Sequence, residues 1–244
     1  MQNVVLKLSG EAIGDKGNSL SGYDDARIDS IVLQIDSLVE SGVKFSCIVG
    51  GGNYWRGRSA RPDMDKVKAD HMGMLATIMN ALYLSEAFKR RGREAKVMTP
   101  LPFGGFTTVY QKDEAQRLLN SGVVLIHAAG LGHPFFSTDT ITALRAAELE
   151  ADCILFAKSG VDGVYTTDPN KDEDAQKYRE LSYKTAIERN LGIVDIAALH
   201  LAKGAGIPSF VFDLRSEDSI FKACRQPELL AGTYIKTDTE DSFY

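Results

Sequence analysis

Apolar and polar positions follow two rhythms along this chain. Short, nearly continuous apolar runs at 4–8, 45–49, 95–98, 123–126, 153–156 and 209–212 predict buried strands. Between them, apolar residues recur at three- and four-residue spacing over 25–41, 69–91, 112–121, 138–150 and 195–205, which predicts helices. Strands alternating with helices specify an α/β fold with a mainly parallel sheet covered on both faces. Ligands in such folds sit beyond the carboxyl ends of the strands. Three glycine loops follow predicted strands: Ser9-Gly10-Glu11, Gly50-Gly51-Gly52-Asn53 and Gly130-Leu131-Gly132. Met72, Leu75, Met79 and Leu82 fall at helical spacing and are read as core. The polar stretch 166–179, TTDPNKDEDAQKYR, reads as a surface excursion between two lobes of one domain, 1–165 and 166–244, within 1–244.

Composition narrows the function classes. The 244 residues are 44% hydrophobic and 25% charged, which fits a soluble globular protein with a sizeable core. A net charge of -5 gives no electrostatic reason to expect nucleic acid or an anionic membrane as partner, so any phosphate site must be local. Cys47, Cys153 and Cys224 are odd in number and far apart, against a disulfide framework or a clustered zinc site and in favour of a reduced cytoplasm. No basic leader precedes the first apolar run, and no run approaches a membrane span.

Neither a P-loop nor a dinucleotide fingerprint is present, so phosphate would need another device. In KLSGEA, Lys7 to Ala12, a lysine near the end of a buried strand must bring its charge to water or to an anion. In GGGNYWRG, three glycines without Cβ atoms let a ligand approach the backbone, and Arg56 adds a fork suited to phosphate. Asp70 reads as a helix cap or as an acceptor for sugar hydroxyls, and His71 as structural. The loop AAGLGHPFFSTDT runs from a strand to a helix that Ser137, Thr138 or Asp139 would cap, at a start suited to an anion. In AKSGVDGVYTTDP, Lys158 matches Lys7 in its strand-end placement, and the pair suggests a shared polyanion. Tyr165 offers a face for stacking a base or is an ordinary core tyrosine.

Taken together, KLSGEA, GGGNYWRG, DHMGMLATIMNAL, GHPFFSTDT and VDGVYTTDP resemble, in order and spacing across nearly the whole chain, the bacterial UMP kinases of the amino acid kinase family. The resemblance implies a three-layer α/β/α sandwich with a mainly parallel central sheet, assembled as a homohexamer. It also implies transfer of the γ-phosphoryl group of ATP to UMP with Mg²⁺, in cytoplasmic pyrimidine nucleotide biosynthesis. By motif position, Lys7, Leu8, Ser9, Gly10, Gly52, Arg56, Ser159, Tyr165 and Asp168 would hold ATP. Gly51, Asp70, Leu131, Gly132, His133, Pro134, Phe135, Phe136, Ser137 and Thr138 would hold UMP. Lys7 and Arg56 would neutralise charge on the transferring group, and Asp139 would order the lysine or the metal, the Mg²⁺ being carried mainly by the ATP phosphates.

Two departures stand out. The common family pattern Gly-Thr-Gly-Asn-Pro is here Gly130-Leu131-Gly132-His133-Pro134, which removes two side chains that would face uracil. Leu131 can offer the base only backbone groups, whereas the His133 ring can donate or accept. The stretch 14–22, GDKGNSLSG, differs from the family's loop near the effector region, where GTP would activate; UTP would inhibit. The rival readings are another small-molecule kinase of the family and a non-catalytic nucleotide-binding or storage protein.

Overall fold

A computed structural model describes residues 1–15, 22–57 and 60–244, so most of the 14–22 stretch lies outside the described residues. The elements in chain order are β1 (Asn3–Leu8), α1 (Gly10–Ile13), α2 (Asp25–Glu40), β2 (Lys44–Val49), α3 (Lys66–Arg90), β3 (Ala95–Thr99), β4 (Thr108–Val109), α4 (Lys112–Asn120), β5 (Val124–His127) and α5 (Thr138–Glu148). They continue with β6 (Cys153–Lys158), β7 (Tyr178–Ser182), α6 (Tyr183–Glu188), α7 (Ile196–Gly204), β8 (Ser209–Asp213), α8 (Ser219–Arg225), β9 (Thr233–Lys236) and β10 (Ser242–Phe243). Every strand and helix expected from the periodicity is present within a few residues.

The strands form one sheet in the order β10-β7-β9-β8-β6-β1-β2-β5-β3-β4. Pairing is parallel except for β8 with β9 and β7 with β10. β1 lies between β2 and β6, with Leu8 opposite both Val49 and Ala157. The chain builds outward from one side of β1 and then crosses to the other, making a switch point at the carboxyl ends of β1, β2 and β6.

Alternation within β1 explains the layering. Val4, Leu6 and Leu8 point into a core shared with Ile28 and Ile35 of α2, Leu84 of α3 and Ile220 of α8. Val5 points to the opposite core, with Ile141 of α5, Tyr183 of α6 and Ala198 of α7. Lys7 shares the side of Val5, so strand geometry alone directs it toward α5. The stretch 166–179 is largely exposed, and an antiparallel bridge joins Tyr165 to Lys177 across its base.

Two readings of the α3 region change. Met72, Leu75 and Met79 are 41%, 53% and 51% exposed, so that stripe is not core; the helix instead buries Ala76, Ile78, Ala81, Leu84 and Phe88, with Leu82 half-buried against the same core. Asp70 is not the cap, because α3 begins earlier and Asp65 accepts from the Lys68 amide at 3.0 Å. Among the described residues no helix is long and apolar enough to cross a membrane.

Candidate active site

The carboxyl ends of β1 and β6 and the first turn of α5 meet at three charged side chains. Ser137 caps α5, accepting from the Thr140 amide at 3.3 Å, and this sets Asp139 in the first turn where the helix dipole favours negative charge. Lys7 Nζ lies 3.0 Å from Asp139 Oδ1, and Lys158 Nζ lies 3.8 Å from Asp139 Oδ2. The Asp195 amide donates to the same Oδ2 at 3.3 Å. Burial pushes the Asp139 carboxyl up, but the charges of Lys7 and Lys158 and these hydrogen bonds outweigh it and hold the group below its ordinary value. Burial, more than the neighbouring Lys7 charge, lowers Lys158 to about 8, with Asp139 opposing. Two buried cations sharing one carboxylate leave a positive centre suited to an anion.

Beside this centre the first two glycine loops interlock. The Gly50 amide donates to the Leu8 carbonyl at 2.8 Å, and a Cβ on Gly10 would fall 2.5 Å from the Gly52 nitrogen. Only glycine permits that approach. Asn80, fully buried in α3, holds the loop by donating to the Gly50 carbonyl and to Asn53 Oδ1, each at 2.7 Å. Arg56 pairs with Glu11 and lies against Gly52. The buried Ser9 hydroxyl has no hydrogen-bond partner among the described residues.

The third glycine loop is tied to α3 at two points. The Ala129 amide donates to Thr77 Oγ1 at 2.7 Å, and the Phe135 amide donates to Asp70 Oδ2 at 2.8 Å. Ala129, Gly130, Gly132 and Phe135 all have positive φ, from 54° to 76°, so the segment folds back on itself. A cleft of about 140 Å³ results, lined by Gly51, Asp70, Gly130, His133, Phe136 and Thr138. The structure thus brings Gly51, Asp70, His133, Phe136 and Thr138 together. Leu131 packs instead against the α5-side core, and a Cβ on Gly132 would press on Pro100 and Leu101. Phe135 is exposed and borders a neighbouring cavity with Gly57 and Asp70, Pro134 is half-buried, and Ser137 serves as the cap.

A cavity of about 540 Å³ has a lining that includes Tyr165, Asp168, Arg189, Leu191 and Ile193, the last joined to the charged centre through its carbonyl, which accepts from Lys158 Nζ. The Tyr165 hydroxyl donates to Asp162 Oδ1 at 2.8 Å, and burial followed by that partner pushes it up to about 12. Asp168 accepts from the Asn170 amide at 3.0 Å, which holds its carboxyl below the ordinary value. Ser159 is not with them: it borders a separate cavity of about 620 Å³ with Arg27 and Arg215. Among the described residues no group of three or more His, Cys, Asp or Glu could hold a metal. Asn80, Thr77 and the segment from Ile193 to Asp195 were not picked out by sequence. Asn80 had left a signal, a polar residue recurring on the apolar face of a helix.

The model of the amino acid kinase family matches residues 2–213. The UMP kinase of Bacillus anthracis is similar in structure at a TM-score of 0.91 and 35% identity, over 100% of this chain and 98% of that one. The UMP kinase of Ureaplasma parvum is similar at a TM-score of 0.90 and 32% identity, over 97% and 99%. With a positive centre at the switch point and the family match running through nearly every element that frames it, the chain belongs to the amino acid kinase family.

Proposed function

We propose that this chain is a UMP kinase, transferring the γ-phosphoryl group of ATP to UMP to give UDP and ADP. The observation that carries the reading is the position of the Lys7–Asp139 pair. Thr138, beside Asp139, lines the small cleft, while the Asp195 amide on Asp139 ends the segment that walls the larger cavity. The cleft is the acceptor site: Asp70 takes ribose hydroxyls, the α5 start takes the monophosphate, and the 130–136 loop faces uracil through His133 and backbone groups. The larger cavity is the donor site, with the base against Tyr165 and Asp168, and Leu8, Ser9, Gly10 and Gly52 along the polyphosphate; Ser159, bordering a separate cavity, is left out of it.

Phosphoryl transfer asks the protein mainly for alignment and charge stabilisation. Lys7 neutralises charge growing on the transferring group, and Arg56 exchanges Glu11 for phosphate oxygens. Asp139 keeps Lys7 aimed. Asp139, its two oxygens already facing Lys7 and Lys158, does not fit as a Mg²⁺ ligand, so the ion would be carried by the ATP phosphates and water and would supply further charge neutralisation there. We read 1–165 as carrying the acceptor site and 166–244 as completing the donor site. The exposed Met72, Leu75 and Met79 face of α3 supports a self-associating protein, and we take the assembly to be a homohexamer, activated by GTP, inhibited by UTP, and working in cytoplasmic pyrimidine synthesis without nucleic-acid or membrane partners.

Coupled ADP release measured with UMP, CMP, carbamate and acetylglutamate tests the reading, repeated with GTP or UTP added. UMP is expected to give the highest kcat/KM. Turnover of an acid or carbamate without UMP turnover overturns it, and binding without UDP formation makes the chain a storage protein.

A further inference from the structure

Lys158 lies at the end of β6, nearly buried, and its ammonium does two things at once. It donates to the Ile193 carbonyl and lies 3.8 Å from Asp139 Oδ2. The same Asp139 oxygen accepts from the Asp195 amide at 3.3 Å. Residues 193 and 195 are therefore both fastened to the positive centre, one through a lysine and one through a carboxylate. The segment between α6 and α7 that carries them makes no strand or helix of its own and turns through positive φ at Asn190 and Gly192, 47° and 70°. Arg189, Asn190, Leu191, Gly192 and Ile193 form one wall of the larger cavity.

A buried lysine that only balanced Asp139 would be redundant, because Lys7 already pairs with that carboxylate at 3.0 Å. What Lys158 adds is the link to Ile193. We infer that Lys158 is a positioning residue that registers the donor-pocket wall against the Lys7–Asp139 centre, so that an ATP base seated on that wall brings its polyphosphate to Lys7 in a fixed relation. The inference rests on the UMP kinase reading for the identity of the donor, but not for the link itself.

Lys158→Met tests it with two readouts. Hydrogen–deuterium exchange of the free protein reports the link without any turnover: exchange at 191–195 is expected to accelerate by about tenfold or more, the worth of one charge-assisted hydrogen bond. In kinetics, KM for ATP is expected to rise by about tenfold while KM for UMP stays within about twofold. Lys158→Arg, which keeps a charged donor, should recover most of both. Lys158→Gln, too short to span to Ile193, serves with the same expectations if the methionine variant does not fold. Unchanged exchange at 191–195 overturns the link. A loss confined to kcat, with KM for ATP and exchange unchanged, also overturns it and makes Lys158 a group acting on the transferring phosphoryl itself. Failure of wild-type protein to phosphorylate UMP would overturn the functional reading while leaving the exchange result standing.

Discussion

Asp70 and Phe135 are joined across 65 residues of sequence by one hydrogen bond, the Phe135 amide to Asp70 Oδ2 at 2.8 Å. Phe135 adopts a φ of 69°, uncommon for a residue with a Cβ, and the residue is 72% exposed, so packing does not explain the conformation. The carboxylate holds the acceptor loop with Oδ2, while Oδ1 lies beside Gly57. Asp70→Ala removes both the loop tie and a sugar acceptor. KM for UMP is expected to rise by about 10- to 100-fold, as for one or two lost hydrogen bonds to a charged group. KM for ATP should hardly move, and steady-state kinetics varying each substrate in turn would show a mistaken assignment as equal effects on both.

Lys7 should behave differently. Its ammonium is held by Asp139 before any ligand arrives, so its contribution belongs to charge that develops during transfer. Lys7→Ala is expected to lower kcat by about 100-fold or more with little change in KM for UMP, the scale of removing one preorganised charge-stabilising group. A near-normal kcat would remove Lys7 from the chemistry.

His127, at the end of β5, makes acid stability a readable property. Burial, reinforced by the Arg145 charge, lowers the imidazole from 6.5 to about 3. Between those values the unfolded chain binds a proton that the folded chain does not, so stability is full above about pH 6.5 and falls as the pH drops toward 3. Relative to a His127→Gln variant, the wild type should lose about 2 kcal/mol between about pH 7 and pH 5. Urea midpoints at the two pH values check this, and parallel behaviour of the two proteins would contradict it.

Much of this architecture was legible because strands inside a parallel sheet are covered on both faces and read as continuous apolar runs, as at Val4 to Leu8 and Cys153 to Phe156. β7, β9 and β10 escaped notice because they are short, lie toward one edge and mix Tyr, Thr, Ser and Lys with few aliphatics. The site residues in glycine loops announced themselves by composition. Thr77 and Asn80 did not, because what they hold is backbone 52 and 30 residues away. The α3 stripe misled for a different reason: helical spacing registers an apolar face whether or not anything within the chain covers it.

That face has its own consequence. Met72, Leu75 and Met79 are successive positions on one exposed side of α3. If copies of the chain meet there, Leu75→Asp places a charge in the contact and should shift the protein to a smaller species in sedimentation velocity, while its circular dichroism is retained. An unchanged sedimentation coefficient would place the assembly contact elsewhere.

The base-reading end of the acceptor cleft is where this sequence departs from its relatives' common pattern, and the structure sharpens the question. Leu131 packs against the α5-side core and so cannot present its side chain to a base, while His133 lines the cleft with Gly51, Asp70 and Thr138. His133 is thus the polar side chain that can take over from the threonine and asparagine usual in the family. His133→Ala is expected to raise KM for UMP by the worth of one hydrogen bond, about 1 kcal/mol or roughly fivefold, with little effect on ATP. Preference for UMP over CMP should narrow as well, because the two bases differ in the donor and acceptor edge that a single imidazole can read. Leu131→Thr should keep activity, at some cost in stability from the packing it removes. Unchanged KM and unchanged UMP-to-CMP preference in His133→Ala would leave uracil to be read by the backbone of residues 130–134, whose positive-φ turns at Gly130 and Gly132 would then carry the specificity.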